Sequence, residues 1–204
     1  MTQFIFDLDG TLTRQETLPL IAAQFHVQED IAALTERTLR GEIPFTASFR
    51  RRVELLKGFP VDEIDRLLAQ VGLHEQVLRF IREHADCCCI ATGNLGAWVH
   101  GLVERIGCPC FCSEAEVVDN RVSRLVRILR KEEVVRRYQA AGRRVVFIGD
   151  GHNDAGAMRQ ADIAIASALT HPPVPSVIRE TDYLASTEAG LCRRLEQLLH
   201  EENE

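Results

Sequence analysis

Apolar residues fall along this chain in three short runs, each ending at polar or glycine-rich positions. Phe4-Ile5-Phe6 gives way to Asp7-Leu8-Asp9-Gly10-Thr11. Cys87 to Ala91 gives way to Thr92-Gly93-Asn94, and Val145-Val146-Phe147-Ile148 to Gly149-Asp150-Gly151-His152-Asn153-Asp154. Short apolar runs followed by helical spacing predict buried parallel strands. After the first run the period changes. Leu18–Phe25, Asp30–Arg40, Phe45–Lys57 and Val61–Val71 read as four helices, broken near Gly41, Pro44, Gly58 and Pro60. A crossover between parallel strands needs only about a dozen residues, so roughly 60 residues of helix at this point read as an insertion. The expected organisation is a core of residues 1–15 and 73–204 with a helical cap of residues 16–72 over the sheet.

The second half returns to alternation. Helices are predicted over Gln76–His84, Gly96–Ile106, Lys131 to near Gly142, and Asp154–Ala161. Two β-prone runs, Phe111–Val118 and Arg121–Leu129, flank Asp119-Asn120 and predict a hairpin. A strand at Ile163–Ala166, a proline-rich loop at His171–Pro175, a short strand at Tyr183-Leu184 and a helix up to about His200 complete the chain. The acidic tail Glu201-Glu202-Asn203-Glu204 is expected to fray.

In an open α/β sheet ligands bind beyond the carboxyl ends of the strands. Here those ends gather four carboxylates, a hydroxyl and several glycines. Two carboxylates held 4 Å apart repel by about 4 kcal/mol at an effective dielectric near 20, so a cation is expected between them, and oxygen ligands favour Mg²⁺. Asp7 and Asp9, two apart on extended backbone, can face the same way. One carboxylate can attack while the other moves a proton. Gly10 and Thr11 permit a tight turn against an anion. Thr92-Gly93, before a helix, offers a hydroxyl and amides to phosphate. Asp150 is placed to leave the strand end toward a metal, whereas Asp154 alone reads as a helix cap, His152 as a loop residue and Lys131 as solvated helix surface.

Composition adds limits. The 204 residues carry a formal net charge of −6, which disfavours a nucleic-acid partner. No apolar run approaches the ~20 residues of a membrane span, and a candidate catalytic residue already at position 7 argues against a cleaved signal. A cytoplasmic protein, monomer or homodimer, is expected. Seven cysteines read as reduced thiols. Cys108, Cys110 and Cys112 would share one strand face, a weaker candidate for a metal site.

In this order the motifs Asp7-Leu-Asp9-Gly-Thr, Thr92, Lys131 and Gly149-Asp150-Gly151-His-Asn-Asp154 resemble the haloacid dehalogenase superfamily of aspartate-nucleophile phosphatases. The resemblance covers the whole chain. It implies an α/β, Rossmann-like core, a mostly parallel sheet with helices on both faces, plus an inserted C1-type helical cap. It also implies roles. Asp7 would attack phosphorus, Asp9 would protonate the leaving group and activate water, and Lys131 would offset charge. Thr92, Gly93 and Asn153 would hold phosphate. Mg²⁺ would sit on Asp7, on the Asp9 backbone carbonyl and on Asp150, with Asp154 behind them. Asp9 marks phosphate rather than dehalogenase chemistry.

A closer likeness, to phosphoserine phosphatases, lies in Asp7 to Thr17 and in Phe45-Thr-Ala-Ser48-Phe-Arg-Arg-Arg52-Val-Glu-Leu-Leu-Lys-Gly58. It implies that Glu16 meets a substrate ammonium and Arg52 its carboxylate. Arg50 and Arg51 compete with Arg52, and the register with Phe45 and Ser48 selects Arg52. Asn94 stands where that family commonly has glycine. Of Arg121, Arg124, Arg127 and Arg130, two fit either a strand surface or a more anionic substrate. The expected activity is a Mg²⁺-dependent phosphomonoesterase for a small phosphorylated metabolite, phosphoserine first. The alternatives are phosphoryl transfer to an alcohol such as homoserine, hydrolysis of a methionine-salvage ketose phosphate, and a domain that merely binds phosphate.

Overall fold

In the computed structural model, β1 (Thr2–Phe6) is buried along its whole length at the centre of a seven-stranded sheet. Residues 1–40 and 42–201 are described. The expected break at Gly41, and the tail from Glu202 on, lie outside the described residues.

Alternation along β1 sets the layers. Phe4 and Phe6 face one core with α5 (Glu75–Glu83), α6 (Gly96–Ile106) and α10 (Glu188–His200). Ile5 faces a second core with α7 (Lys131–Ala140), α8 (Ala155–Gln160) and α9 (Pro175–Ile178). The strands β2 (Cys88–Leu95), β3 (Cys110–Val118), β5 (Arg144–Gly149), β6 (Ile163–Ser167) and β7 (Tyr183–Ala185) all run parallel with β1. Only β4 (Arg121–Arg127) is antiparallel, and the sheet order is β4-β3-β2-β1-β5-β6-β7. The chain winds outward from β1 to β3 and returns on the other side at β5. Connections therefore diverge between β1 and β5, which opens a crevice at their carboxyl ends.

The hairpin forms as expected, with Asp119 at φ 49° and Asn120 at φ 60°, the positive pair that a two-residue turn between twisted strands requires. Arg124 pairs with Glu116, Arg127 with Glu114 and Glu133, and Arg130 with Glu132. Arg121 donates to the Gly58 carbonyl. These four arginines are thus surface residues with partners, and the reading that they face an anionic substrate is corrected. Strand β2 is longer than its apolar run: it starts at Cys88, after a 3₁₀ turn, and continues through Thr92-Gly93-Asn94 to Leu95. Its register with β3 slips between Ala91 and Leu95, and there the Ser113 hydroxyl donates to the Gly93 carbonyl at 2.7 Å. A side chain therefore stands in where the ladder lapses, and polar residues continue the strand. Among the described residues no cysteines are joined in a disulfide.

Four helices separate β1 from α5: α1 (Thr17–Gln24), α2 (Gln28–Leu39), α3 (Phe45–Leu56) and α4 (Val61–Leu68). Helices α3 and α4 begin directly after Pro44 and Pro60, residues that cannot extend a helix toward their N-terminal side. The segment leaves and re-enters the core through paired backbone. Arg14 N donates to Gly72 O at 2.8 Å, His74 N to Leu12 O at 3.0 Å, and Thr13 bridges Leu73. Helix α4 is held to the core. Asp65 accepts from Gly101 N of α6 at 2.8 Å, and the hairpin tip meets its first turn, where Val61 N donates to Asn120 O and Asp62 N to Asn120 Oδ1. Helices α2 and α3 instead face the strand ends across an open cleft.

Candidate active site

The cleft holds a cavity of about 440 Å³. Its floor is made by Asp7, Asp9, Gly93, Asn94, and Asp150 to Asn153. Its roof carries Glu16, Thr35, Phe45, Phe49 and Arg52, and His171 stands at one side.

Asp7 follows β1, and its backbone N–H still donates to Ile148 O of β5, so its side chain is fixed by the sheet. Its carboxylate pairs with the Lys131 ammonium and accepts from Leu8 N at 2.7 Å. Lys131 is 1% exposed, which corrects its reading as solvated surface. It opens α7 and points inward because two buried carboxylates compensate it: Asp7, and Asp154 at 2.6 Å. Burial opposes its charge, but Asp154 and Asp7 outweigh burial and hold it above the ordinary lysine value. Asp154 is fully buried and does not cap α8 with its side chain. It turns back instead, with Oδ2 accepting from Asp150 N at 3.0 Å and Gly151 N at 2.8 Å, and so shapes the loop that presents Asp150. Thr11 donates to Asp150 Oδ1 at 2.6 Å.

Oxygen atoms of Asp7, Asp150 and Asp154 lie within 4.8 Å of one another. Burial, and then the neighbouring Asp154, push Asp150 up to about 7. Burial, and then Asp154, also raise Asp7 well above the carboxylate range despite Lys131. One ammonium thus does not balance the cluster. An all-oxygen, carboxylate-rich donor set short of positive charge fits a hard divalent cation.

Asp9 is held from two directions. Its Oδ1 accepts from the Thr17 backbone N–H at 3.2 Å and from the Thr17 hydroxyl. Asn94 Nδ2 donates to Thr17 Oγ1 at 2.8 Å and to Asp9 Oδ2 at 3.3 Å. Asn94 therefore turns toward Asp9. Burial, then the charge of Glu16, raise Asp9 above the ordinary value.

Thr92 is fully buried and does not line the cavity, and its Oγ1 accepts from Asn94 N at 3.1 Å. It also precedes α6 by four residues, so it lies within β2 rather than at the helix start. Gly93 and Asn153 do line the cavity. A Cβ on Gly93 would lie 3.1 Å from the Phe45 ring and 3.5 Å from Asn153 Nδ2, so roof and floor meet closely there.

Arg52 lies on the inner face of α3 at 6% exposure, while Arg50 and Arg51 are exposed. Its Nη2 donates to Thr35 Oγ1 at 2.9 Å, whereas its buried Nε has no partner. Among the described residues no carboxylate pairs with it. Burial lowers its pKa, and Glu16 partly restores it.

His171 carries no motif signature and lies in the proline-rich loop after β6. Its Nε2 lies 2.7 Å from Glu16 Oε1 and 3.3 Å from Asp150 Oδ2, while Nδ1 lies 3.1 Å from Pro172 O. Every facing atom is an acceptor, so both ring nitrogens donate. The bond to Glu16 leads the causes that raise its pKa to about 9. Gly10, at φ 73°, makes this convergence possible: a Cβ there would lie 2.7 Å from Asp150 Oδ2, 2.8 Å from His171 Nε2 and 2.9 Å from Glu16 Oε1.

A family model for haloacid dehalogenase-like hydrolases matches residues 4–159. The chain belongs to this family. It is similar to a phosphoserine phosphatase of Archaeoglobus fulgidus, at 30% identity over 79% of this chain and 51% of the relative. It therefore spans about half the length of that protein. It also resembles a phosphoserine phosphatase of Halobacterium salinarum, at 28% identity over 96% of this chain and 98% of the relative. Among solved structures of the family's fold, a substrate-bound phosphoserine phosphatase complex superimposes with a TM-score of 0.79 at 23% identity, covering 97% of this chain and 98% of that one. The mostly parallel sheet with flanking helices is thus a haloacid dehalogenase fold.

Proposed function

We propose that this haloacid dehalogenase-family chain is a Mg²⁺-dependent phosphomonoesterase acting on a small phosphorylated amino acid, phosphoserine first. Residues 16–72 form its cap domain, and residues 1–15 and 73–204 its core. The observation that carries the substrate is Arg52. A buried guanidinium with an unpartnered Nε, across one cavity from the carboxylate cluster, suits a ligand that brings its own carboxylate. The names of the relatives point the same way.

The chemistry follows from the floor. Asp7, aligned by Leu8 N and Lys131, attacks phosphorus, and the ester P–O bond breaks. Asp9, whose pKa is raised by burial and then by Glu16, gives a proton to the leaving alcohol. An aspartyl-phosphate on Asp7 results. Asp9, now a carboxylate, takes a proton from water as that water attacks phosphorus, and Asp7 is released. Lys131 and the amides at Gly93 offset phosphoryl charge. Asp7 and Asp150, with the Asp9 backbone carbonyl, would hold Mg²⁺, which supplies charge neutralisation and orients the phosphoryl group. Glu16 and Arg52 bind the ammonium and the carboxylate of the substrate.

A panel of phosphorylated metabolites with Mg²⁺, read by released phosphate, tests this. Phosphoserine is expected to lead. No turnover of any ester, including an aryl phosphate, would remove the enzymatic reading, and a lead by esters without an amino-acid moiety would remove the substrate.

A further inference from the structure

We propose that His171 is a specificity-determining residue that acts through Glu16, holding its carboxylate in position for the ammonium of the substrate. This rests on the amino-acid phosphate reading above.

Glu16 directly precedes α1, but its side chain accepts no hydrogen bond from the helix N-terminus, so its carboxylate is not tied up as a cap. A long side chain at a half-exposed position loses rotamer freedom when it binds, and the loss is smaller if it is already placed. Within the described residues, the His171 ring supplies that placement: Nε2 donates to Oε1 at 2.7 Å, and Glu16 lines the cavity. The ring is itself anchored. Its Nδ1 meets the Pro172 carbonyl. Thr170, next in the chain, donates to Thr13 O at 2.7 Å and meets His74 Nε2 at 3.0 Å, which ties the loop to both segments through which the cap is joined. The Gly10 turn leaves the space that Glu16, His171 and Asp150 share. The position of Glu16 is therefore referred to the same loop and the same Asp150 as the reacting groups, and a substrate ammonium would be read at a fixed distance from phosphorus.

The test compares phosphoserine with 3-phosphonooxypropanoate, which keeps the phosphate and carboxylate but lacks the amine. The readout is the ratio of their kcat/KM values. His171→Asn keeps an amide near the Nδ1 position but cannot reach Glu16, and His171→Gln places an N–H near the Nε2 position. The Asn variant is expected to lower the ratio about ten-fold, mainly through KM for phosphoserine, and the Gln variant to restore most of it. In a Glu16→Gln background, His171→Asn is expected to change the ratio little, because the two act as one unit. Equal losses on both esters would overturn the proposal and assign His171 to Asp150 or to folding. A raised ratio would overturn it too, by showing that the imidazole opposes the amine. If the wild-type ratio is itself near one, the amino-acid reading fails, and this role of His171 falls with it.

Discussion

Asp7, Lys131, Asp150 and Asp154 in the floor of the cleft are engaged with one another and with backbone amides, whereas Arg52 in the roof keeps a buried nitrogen without a partner. The floor hangs on adjacent central strands and is buried. The roof sits on helices that reach the core through a paired linker and through α4. Such a division suits different tasks: groups that must meet a reacting atom are pre-arranged, and groups that select a substrate are completed by it.

The floor can be broken outright. Asp7→Asn is expected to lower turnover by about a thousand-fold or more on every ester while thermal melting barely moves, since an amide is a poor nucleophile. Near-normal phosphate release would end aspartyl-phosphate catalysis. Asp9→Asn should be nearly as severe on phosphoserine but milder on an activated aryl phosphate, whose leaving group needs less protonation. The roof should fail selectively. Arg52→Ala is expected to cost phosphoserine about 2–4 kcal/mol, on the order of 30- to 1000-fold in kcat/KM, and an ester without a carboxylate much less. A uniform loss across esters would make Arg52 a structural tie within the cap.

Floor and proton concentration are also linked. In the metal-free chain Asp150 rises to about 7 and His171 to about 9. Both therefore bind protons more tightly when folded than when unfolded. Their stabilising contributions are fully present at low pH. That of Asp150 is lost as pH rises from about 4 to about 7, and that of His171 from about 6.5 to about 9. Melting of the metal-free protein should fall between pH 5 and pH 9, and Mg²⁺ should flatten the slope at its upper end by binding the ionised cluster. A melting temperature that rises with pH would contradict the crowding of carboxylates. The smallest effect belongs to the hairpin: Asn120→Gly keeps the positive-φ turn but removes the Asp62 contact. It should cost about 1 kcal/mol or less in a denaturant melt and leave substrate ratios unchanged.

What the sequence disclosed was local. Each apolar run carries its polar terminus with it, so the floor carboxylates could be read in order, and the register with Phe45 and Ser48 selects Arg52. What escaped depends on chain distance. His171 meets Glu16 only because β6 lies two strands from β1. Lys131 is indistinguishable from a surface lysine until Asp7 and Asp154 surround it. Asn94 follows a strand end in sequence, yet it serves Asp9 through Thr17, a residue of a different segment. The long β2 was hidden because Ser113, from the neighbouring strand, replaces its missing ladder bond.

The paired segments at Leu12–Arg14 and Gly72–His74 have a consequence for descent. To the sheet, everything between them is a single excursion whose two ends already touch. Doubling the length of such an excursion adds only about 0.6 kcal/mol of closure entropy. A lineage can therefore lengthen, shorten or exchange the segment without re-threading a strand, provided that the newcomer also finds a seat on α6. The floor of the cleft would be inherited unchanged, while the roof above it is free to diverge.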